Sequence, residues 1–116
     1  MTNSQEFLEF GNKLLEYTVE YLDKIEERRV FPDVKPGYLR NLIANEAPMK
    51  AEKWQDVFND IERAIMPGVS HWHSPNFHAY YPIGNSYAST LADLLCDAIT
   101  CNGFSWVCTE VILSCS

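Results

Sequence analysis

A chain of 116 residues with 47% hydrophobic side chains has room for one small domain, and such a domain buries roughly two thirds of its unfolded surface. The net charge of −7 argues against nucleic acid and against an anionic membrane surface as partners. No run approaches the ~18 consecutive apolar residues of a membrane span. Polar and acidic residues follow Met1 where a secretory leader would be basic and then apolar. The expectation is therefore a cytoplasmic protein, in which Cys96, Cys101, Cys108 and Cys115 are reduced thiols rather than a disulfide framework.

Charge is unevenly spread. All 9 Lys and Arg lie at or before Arg63, and from Ala64 onward the charged residues are Asp93, Asp97 and Glu110. The second half thus has little polar surface of its own, the pattern of a chain that meets a partner.

The spacing predicts a first helix from about Thr2 to Arg28, with Ser4 as N-cap and Glu6 in its first turn. Phe7, Phe10, Leu14, Tyr17, Tyr21 and Ile25 recur at helical spacing, and Leu8, Leu15 and Leu22 widen the stripe. Glu9→Lys13 and Glu20→Lys24 are i,i+4 pairs in the favourable orientation. Residues Val30 to Pro48 read as a connector punctuated by Pro32, Pro36, Gly37 and Pro48, with a turn at Pro36-Gly37 and a short helix from Tyr38 to Ile43. A second helix is expected from about Ala51 to Ile65, with Trp54, Val57, Phe58, Ile61 and Ile65 on one side and Pro67-Gly68 ending it. A third, about Tyr87 to Cys101, is capped by Ser86, presents Leu91, Leu94, Leu95 and Ala98 on one face, and breaks at Asn102-Gly103.

Between the second and third helices lies the most unusual stretch. Residues 66–82 hold three His, Trp72, Phe77, Tyr80, Tyr81 and three Pro, with no Lys, Arg, Asp or Glu. The prolines forbid a long helix, and exposing so many rings to water is unfavourable. Trp72, Tyr80, Tyr81 and Phe104 are candidates to line a slot for a flat ring. On residues alone, packing of the rings into a core is favoured over that slot. His71, His73 and His78 invite a metal, but the run of residues 66–82 that holds them has no Cys or carboxylate to complete a ligand set, and no metal is assigned. Cys101, Cys108 and Cys115 recur every seven residues, which matches no usual zinc or redox spacing. Gly68, Gly84 and Gly103 stand apart, so there is no glycine-rich phosphate loop.

Four motifs in order carry a family resemblance: Val34-x-Pro36-Gly37-Tyr38-Leu39-Arg40; Ile65-Met66-Pro67-Gly68-Val69-x-His71-Trp72-x-Ser74-Pro75; Ala79-Tyr80; and Gly103-Phe104-Ser105-Trp106. From about Phe7 to Trp106 the chain resembles the N-terminal portion of the group II pyridoxal-phosphate-dependent amino-acid decarboxylases. That family includes aromatic L-amino-acid, histidine and tyrosine decarboxylases and the insect aldehyde synthases. The resemblance implies a mainly α fold: the N-terminal helical flap of a fold-type I enzyme, then an extended aromatic segment and one further helix. Residues 1–85 would be the dimerisation flap, 86–106 the start of the cofactor domain and 107–116 a divergent tail.

The same resemblance implies a substrate-binding set. Trp72, Tyr80, Tyr81 and Pro82 match positions that line the family's substrate pocket. Ile83 stands where the family commonly carries a Thr near the substrate carboxylate, and it cannot donate that hydrogen bond. Asn102 and Phe104 match positions that approach the partner subunit's active site, the former usually apolar in the family, and Ala88 replaces a usual Pro. The implied cofactor is pyridoxal 5'-phosphate, which supplies the electron sink for decarboxylation. Lys13, Lys24, Lys35, Lys50 and Lys53 all lie in the flap or its connector, so no Schiff-base Lys or phosphate cradle is identified and no catalytic residue is assigned.

The expectation is a truncated member of a biogenic-amine-forming lyase family, inactive by itself, that forms a homodimer or a heterodimer with a full-length member. The alternative is a non-catalytic dimerisation module.

Overall fold

The computed structural model describes residues 3–82 and 84–100, and the chain divides after Pro82 into two compact units. Among the described residues all regular structure is helical. Helix α1 spans Ser4–Asp23, α2 spans Trp54–Asp60 and α3 spans Tyr87–Ile99. No helix among the described residues is long and apolar enough to cross a membrane.

Helix α1 is capped one residue earlier than expected. Asn3 is extended, and its Oδ1 accepts the Glu6 N–H at 2.7 Å, so Ser4 is the first helical residue and not the cap. The two anticipated pairs form, with Lys13 Nζ 3.5 Å from Glu9 and Lys24 Nζ 2.7 Å from Glu20. The helix stops at Asp23 and does not continue to Arg28. A 3₁₀ turn, Ile25–Glu27, follows, and within it Ile25 is buried.

In the connector, the Tyr38 N–H donates to Lys35 O at 3.1 Å across Pro36-Gly37. Gly37 has φ +87, a left-handed value that glycine adopts without penalty at the third position of such a turn. The anticipated short helix is a 3₁₀ turn, Tyr38–Asn41.

The second helix differs most from expectation. It begins at Trp54, and only Trp54–Asp60 is α; Ile61–Ile65 is a π turn and Met66–Gly68 a 3₁₀ turn. Two constraints account for the change. Pro67 has no N–H to continue the α ladder, and the Met66 N–H reaches back five residues to Ile61 O. The Tyr38 hydroxyl, from the connector, donates to Ala64 O at 2.8 Å and holds Ala64 inside.

Rings join α1 to α2. Phe10 stacks on Trp54 with centroids 3.5 Å apart, Trp54 meets Phe58 at 5.3 Å, and Tyr17 meets Phe58 edge-on at 5.7 Å. Lys13 Nζ lies 5.2 Å over the Trp54 ring. Only Phe10, Ile25 and Ala64 are buried among the described apolar residues. Phe7 and Leu14, expected on the same stripe, remain about half exposed at 51% and 48%. Val57 and Ile65 on the second helical segment are likewise exposed.

In the second unit, Ser86 caps α3 as expected. Its Oγ accepts the Ser89 N–H at 3.1 Å, and the Ser86 N–H donates to Ser89 Oγ at 3.2 Å, a capping box built from two serines. The helix closes on Thr100, in left-handed backbone at φ +52. Cys101 and the Asn102-Gly103 break lie outside the described residues. Leu91, Leu94 and Leu95 share one face of α3, and all three are exposed.

Candidate functional site

The aromatic stretch leaves the Met66–Gly68 turn and folds through further turns over residues 72–76. Ser74 is their pivot and is buried. Its N–H donates to His71 O at 3.0 Å, its O accepts the Phe77 N–H at 3.0 Å, and its Oγ accepts the Asn76 N–H at 3.3 Å. A serine suits this place because its short hydroxyl satisfies a nearby backbone donor.

The turns gather three rings. Trp72 stacks on Phe77 with centroids 4.9 Å apart and on Tyr80 at 5.4 Å, the latter pair only 12° from parallel. Tyr80 takes φ +58, an uncommon value for a residue with a Cβ that costs roughly 1–2 kcal/mol. Ring stacking of about 0.5–1.5 kcal/mol per pair offsets much of that cost. The product is an aromatic stack, a wall of rings open to solvent, with Trp72 at 45% and Tyr80 at 78% exposure.

Of the positions singled out in the sequence, Trp72 and Tyr80 come together. Tyr81 and Pro82 follow directly in the chain but are exposed, Tyr81 almost completely at 99%. Ile83, Asn102 and Phe104 lie outside the described residues. Phe77 completes the wall and was not singled out; its presence in the same charge-free run is the only sequence signal for it.

The histidines separate. His71 is buried at 5% exposure, while His73 and His78 are exposed. Residues 72 and 73 form a turn between His71 and Ser74. Among the described residues no three His, Cys, Asp or Glu side chains form a group able to hold a metal ion.

Joined to this segment through His71 is a polar cluster that local sequence patterns do not reveal. Arg28 grips Glu62 with both terminal nitrogens, Nη2 to Oε1 and Nη1 to Oε2, the latter at 3.2 Å. The Tyr17 hydroxyl donates to Glu62 Oε1 at 2.6 Å. The Arg28 guanidinium also lies 5.2 Å over the Tyr21 ring, and the Tyr21 hydroxyl is 2.9 Å from His71 Nδ1. Burial, helped by the bond to Glu62, pushes the Tyr17 phenol up to about 12. Burial also raises Tyr21. The Arg28 hydrogen bonds hold the Glu62 carboxyl below the usual range, whereas burial lowers His71, with Arg28 adding to the effect. A cavity of about 230 Å³ beside His71 is lined by Arg28, Arg29, Asp33 and Glu62 among others.

Residues 36–114 match the family model described as the pyridoxal-dependent decarboxylase conserved domain. The chain belongs to the pyridoxal-dependent decarboxylase family. It is 57% identical over 110 residues to the aromatic-L-amino-acid decarboxylase of Drosophila melanogaster, covering 91% of this chain and 22% of that one. The tryptophan decarboxylase of Catharanthus roseus, solved with L-tryptophan, superposes with a TM-score of 0.89 at 33% identity, covering 97% of this chain and 24% of that one. The 4-hydroxyphenylacetaldehyde synthase of Rhodiola rosea superposes with a TM-score of 0.85 at 34% identity, covering 93% and 23%. The chain thus spans less than a quarter of the length of these relatives.

Among the described residues of this pyridoxal-dependent family member, the basic side chains do not fit the family's cofactor. An aldehyde needs a Lys amine and a phosphate needs cations or a nest of N–H groups. The five Lys end at Lys53, and no basic residue follows Arg63. Lys13 and Lys24 are paired with Glu9 and Glu20 on the exposed side of α1. Arg28 is committed to Glu62 and Arg29 to Asp33 at 2.7 Å. What the chain does provide is an apolar stacking surface.

Proposed function

We propose that this chain is the N-terminal, substrate-facing part of a pyridoxal-phosphate-dependent decarboxylase, or aldehyde synthase, acting on aromatic L-amino acids, and that by itself it catalyses nothing. The observation that carries the reading is the near-parallel stack of Trp72 on Tyr80, backed by Phe77, in which the 78%-exposed Tyr80 ring is accessible to a flat ring. Identity to an aromatic-L-amino-acid decarboxylase supports the substrate class. Likeness to a 4-hydroxyphenylacetaldehyde synthase keeps the aldehyde-forming variant of the reaction alongside simple decarboxylation.

In this reading residues 1–85 form a flap, 86–106 begin the cofactor domain and 107–116 are a divergent tail. Tyr81, Pro82 and Ile83 belong with Trp72 and Tyr80 to the substrate-binding set, and Asn102 and Phe104 serve the partner subunit's active site. Ile83 offers the substrate carboxylate no hydrogen bond, so recognition of the amino acid falls more heavily on its ring. The complete assembly is a cytoplasmic homodimer that binds the cofactor through residues other than the five Lys named above. The test is direct: purified chain with pyridoxal phosphate and L-tryptophan, L-tyrosine or L-histidine releases no more carbon dioxide than a protein-free control. Release above that control from any of the three overturns the claim of inactivity.

A second reading is a non-catalytic dimerisation module that pairs with full-length decarboxylase subunits. It is favoured by the exposure of Leu8, Leu15 and Val19 on α1 and of Leu91, Leu94 and Leu95 on α3. Co-purification with a full-length family member supports it, and elution as a monomer in the presence of that member excludes it.

A further inference from the structure

A protease holds its substrate as an extended strand, so a bond that is cut in a folded protein needs exposed neighbours whose backbone has no other partner. The connector meets that condition. Residues 39–53 are all exposed, and no helix or strand lies between the Tyr38–Asn41 turn and Trp54. Residues 44–52 make no backbone hydrogen bond, and Met49 in their midst is 99% exposed. Lys50 follows it directly.

All 9 Lys and Arg lie among the described residues, and every one except Lys50 sits in backbone that is already engaged. Lys13 is inside α1, and at the end of that helix the Lys24 N–H donates to Glu20 O. The Arg28 N–H donates to Ile25 O, and Arg29 precedes Val30, whose O accepts the His71 N–H. Lys35 O accepts the Tyr38 N–H, and the Pro36 that follows has a fixed φ and no N–H to offer a protease. Arg40 belongs to the Tyr38–Asn41 turn and Arg63 to the π turn. Lys53 O accepts the Asp56 and Val57 N–H groups, and the next residue, Trp54, is stacked on Phe10. Only the Lys50–Ala51 bond lies wholly within the unpaired stretch.

We propose that Lys50–Ala51 is a proteolytic processing site, cut first by an endoproteinase that cleaves after lysine, and that the two pieces stay folded on one another. The step is hydrolysis. Water adds across the amide and the C–N bond breaks, leaving a carboxylate on Lys50 and an amine on Ala51 that takes up a proton. The cut removes none of the contacts that join the two sides. Phe10 on Trp54, Arg28 on Glu62, the Tyr38 hydroxyl on Ala64 O and the His71 N–H on Val30 O all reach from one piece to the other. The product is a two-chain molecule in which α1 is no longer covalently joined to the segment carrying Trp72 and Tyr80. The site goes beyond the proposed function and does not rest on it.

The experiment is limited digestion of the purified 116-residue chain with trypsin, read by mass spectrometry and size-exclusion chromatography. Trypsin cuts after Lys and Arg alike, so all 9 sites compete. The first products expected are residues 1–50 and 51–116, which elute together with the intact chain and separate only in denaturant. Lys50→Gln, a change on an exposed side chain, should prolong survival of the intact chain about ten-fold, because cutting then waits for a hydrogen-bonded element to open. A first cut after any other Lys or Arg, pieces that elute apart, or a Lys50→Gln chain digested as fast as its parent overturns the proposal. Neither result bears on the carbon dioxide test, and that test leaves the processing site untouched.

Discussion

The Tyr38 hydroxyl occupies the space into which a side chain on Gly68 would grow, and it donates from there to Ala64 O at 2.8 Å. A Cβ on Gly68 would collide with that hydroxyl and crowd the ring behind it. Gly68→Ala must therefore displace Tyr38 and free the Ala64 carbonyl. The expected loss is ~1–3 kcal/mol, the range for overpacking a fitted site. Tyr38→Phe keeps the ring but removes the donor, with an expected cost of about 1 kcal/mol. Urea denaturation of the two variants reads both values, and a Gly68→Ala chain as stable as its parent contradicts the packing described.

Phe10 and Trp54 stand 3.5 Å apart and, with Tyr17 and Phe58, join α1 to α2. Trp54→Ala removes the Phe10 and Phe58 contacts and the surface beneath Lys13. A loss of ~2–3 kcal/mol is expected, toward the low end for Trp→Ala because the ring is only partly buried. Loss of α-helical circular dichroism should accompany it, since α2 is too short to persist without packing.

Glu62 joins Arg28 and Tyr17, and its carboxyl is held below its ordinary value of 4.5, mainly by the Arg28 hydrogen bonds. The folded state thus releases the Glu62 proton more readily than the unfolded state. The resulting stability is complete above about pH 4.5 and is lost as pH falls through the lowered folded value. Glu62→Gln should remove this part of the acid dependence. At neutral pH it should cost only about 0.5–1 kcal/mol, because the Glu62 side chain is 49% exposed to screening water. Thermal melts from about pH 7 to about pH 3 compare the two chains across the carboxylate range.

Ser86 and Ser89 satisfy each other's backbone donors at the start of α3. Ser86→Ala removes the side-chain acceptor for the Ser89 N–H and should cost about 1 kcal/mol of helix stability. Amide exchange at Ser89 should speed up relative to residues at the centre of α3. Equal exchange in the two chains would show that the cap contributes nothing.

How much of this was legible in the sequence depended on distance along the chain. The Pro36-Gly37 turn, the Ser86 cap and the two i,i+4 pairs depend on neighbours a few residues apart, and all are present. Asn3 and Ser4 are both competent caps, and only the geometry of the first turn selects between them. The conversion of Ile61–Ile65 to a π turn combines the local effect of Pro67 with a hydroxyl from Tyr38, 26 positions from Ala64. Arg28 and Glu62 are 34 positions apart, and Tyr21 and His71 are 50 apart. No periodicity or short motif encodes such pairs. At the site, composition marked the aromatic run, and the resemblance picked out Trp72 and Tyr80. The turn at Ser74 and the left-handed backbone of Tyr80, which bring the rings together, have no signature in composition or spacing.

The central claim is that this chain supplies the aromatic wall against which a decarboxylase holds its substrate. Its most direct test is a chimera in which the matched 110-residue region of this chain replaces its counterpart in the Drosophila melanogaster aromatic-L-amino-acid decarboxylase. The measurement is kcat/KM for an aromatic L-amino acid, with and without Trp72→Ala. The account predicts a chimera that decarboxylates and a Trp72→Ala version about ten-fold less effective, close to the loss of one stacking contact of about 1.4 kcal/mol. A chimera that binds pyridoxal phosphate but releases no carbon dioxide, or one indifferent to Trp72→Ala, contradicts it.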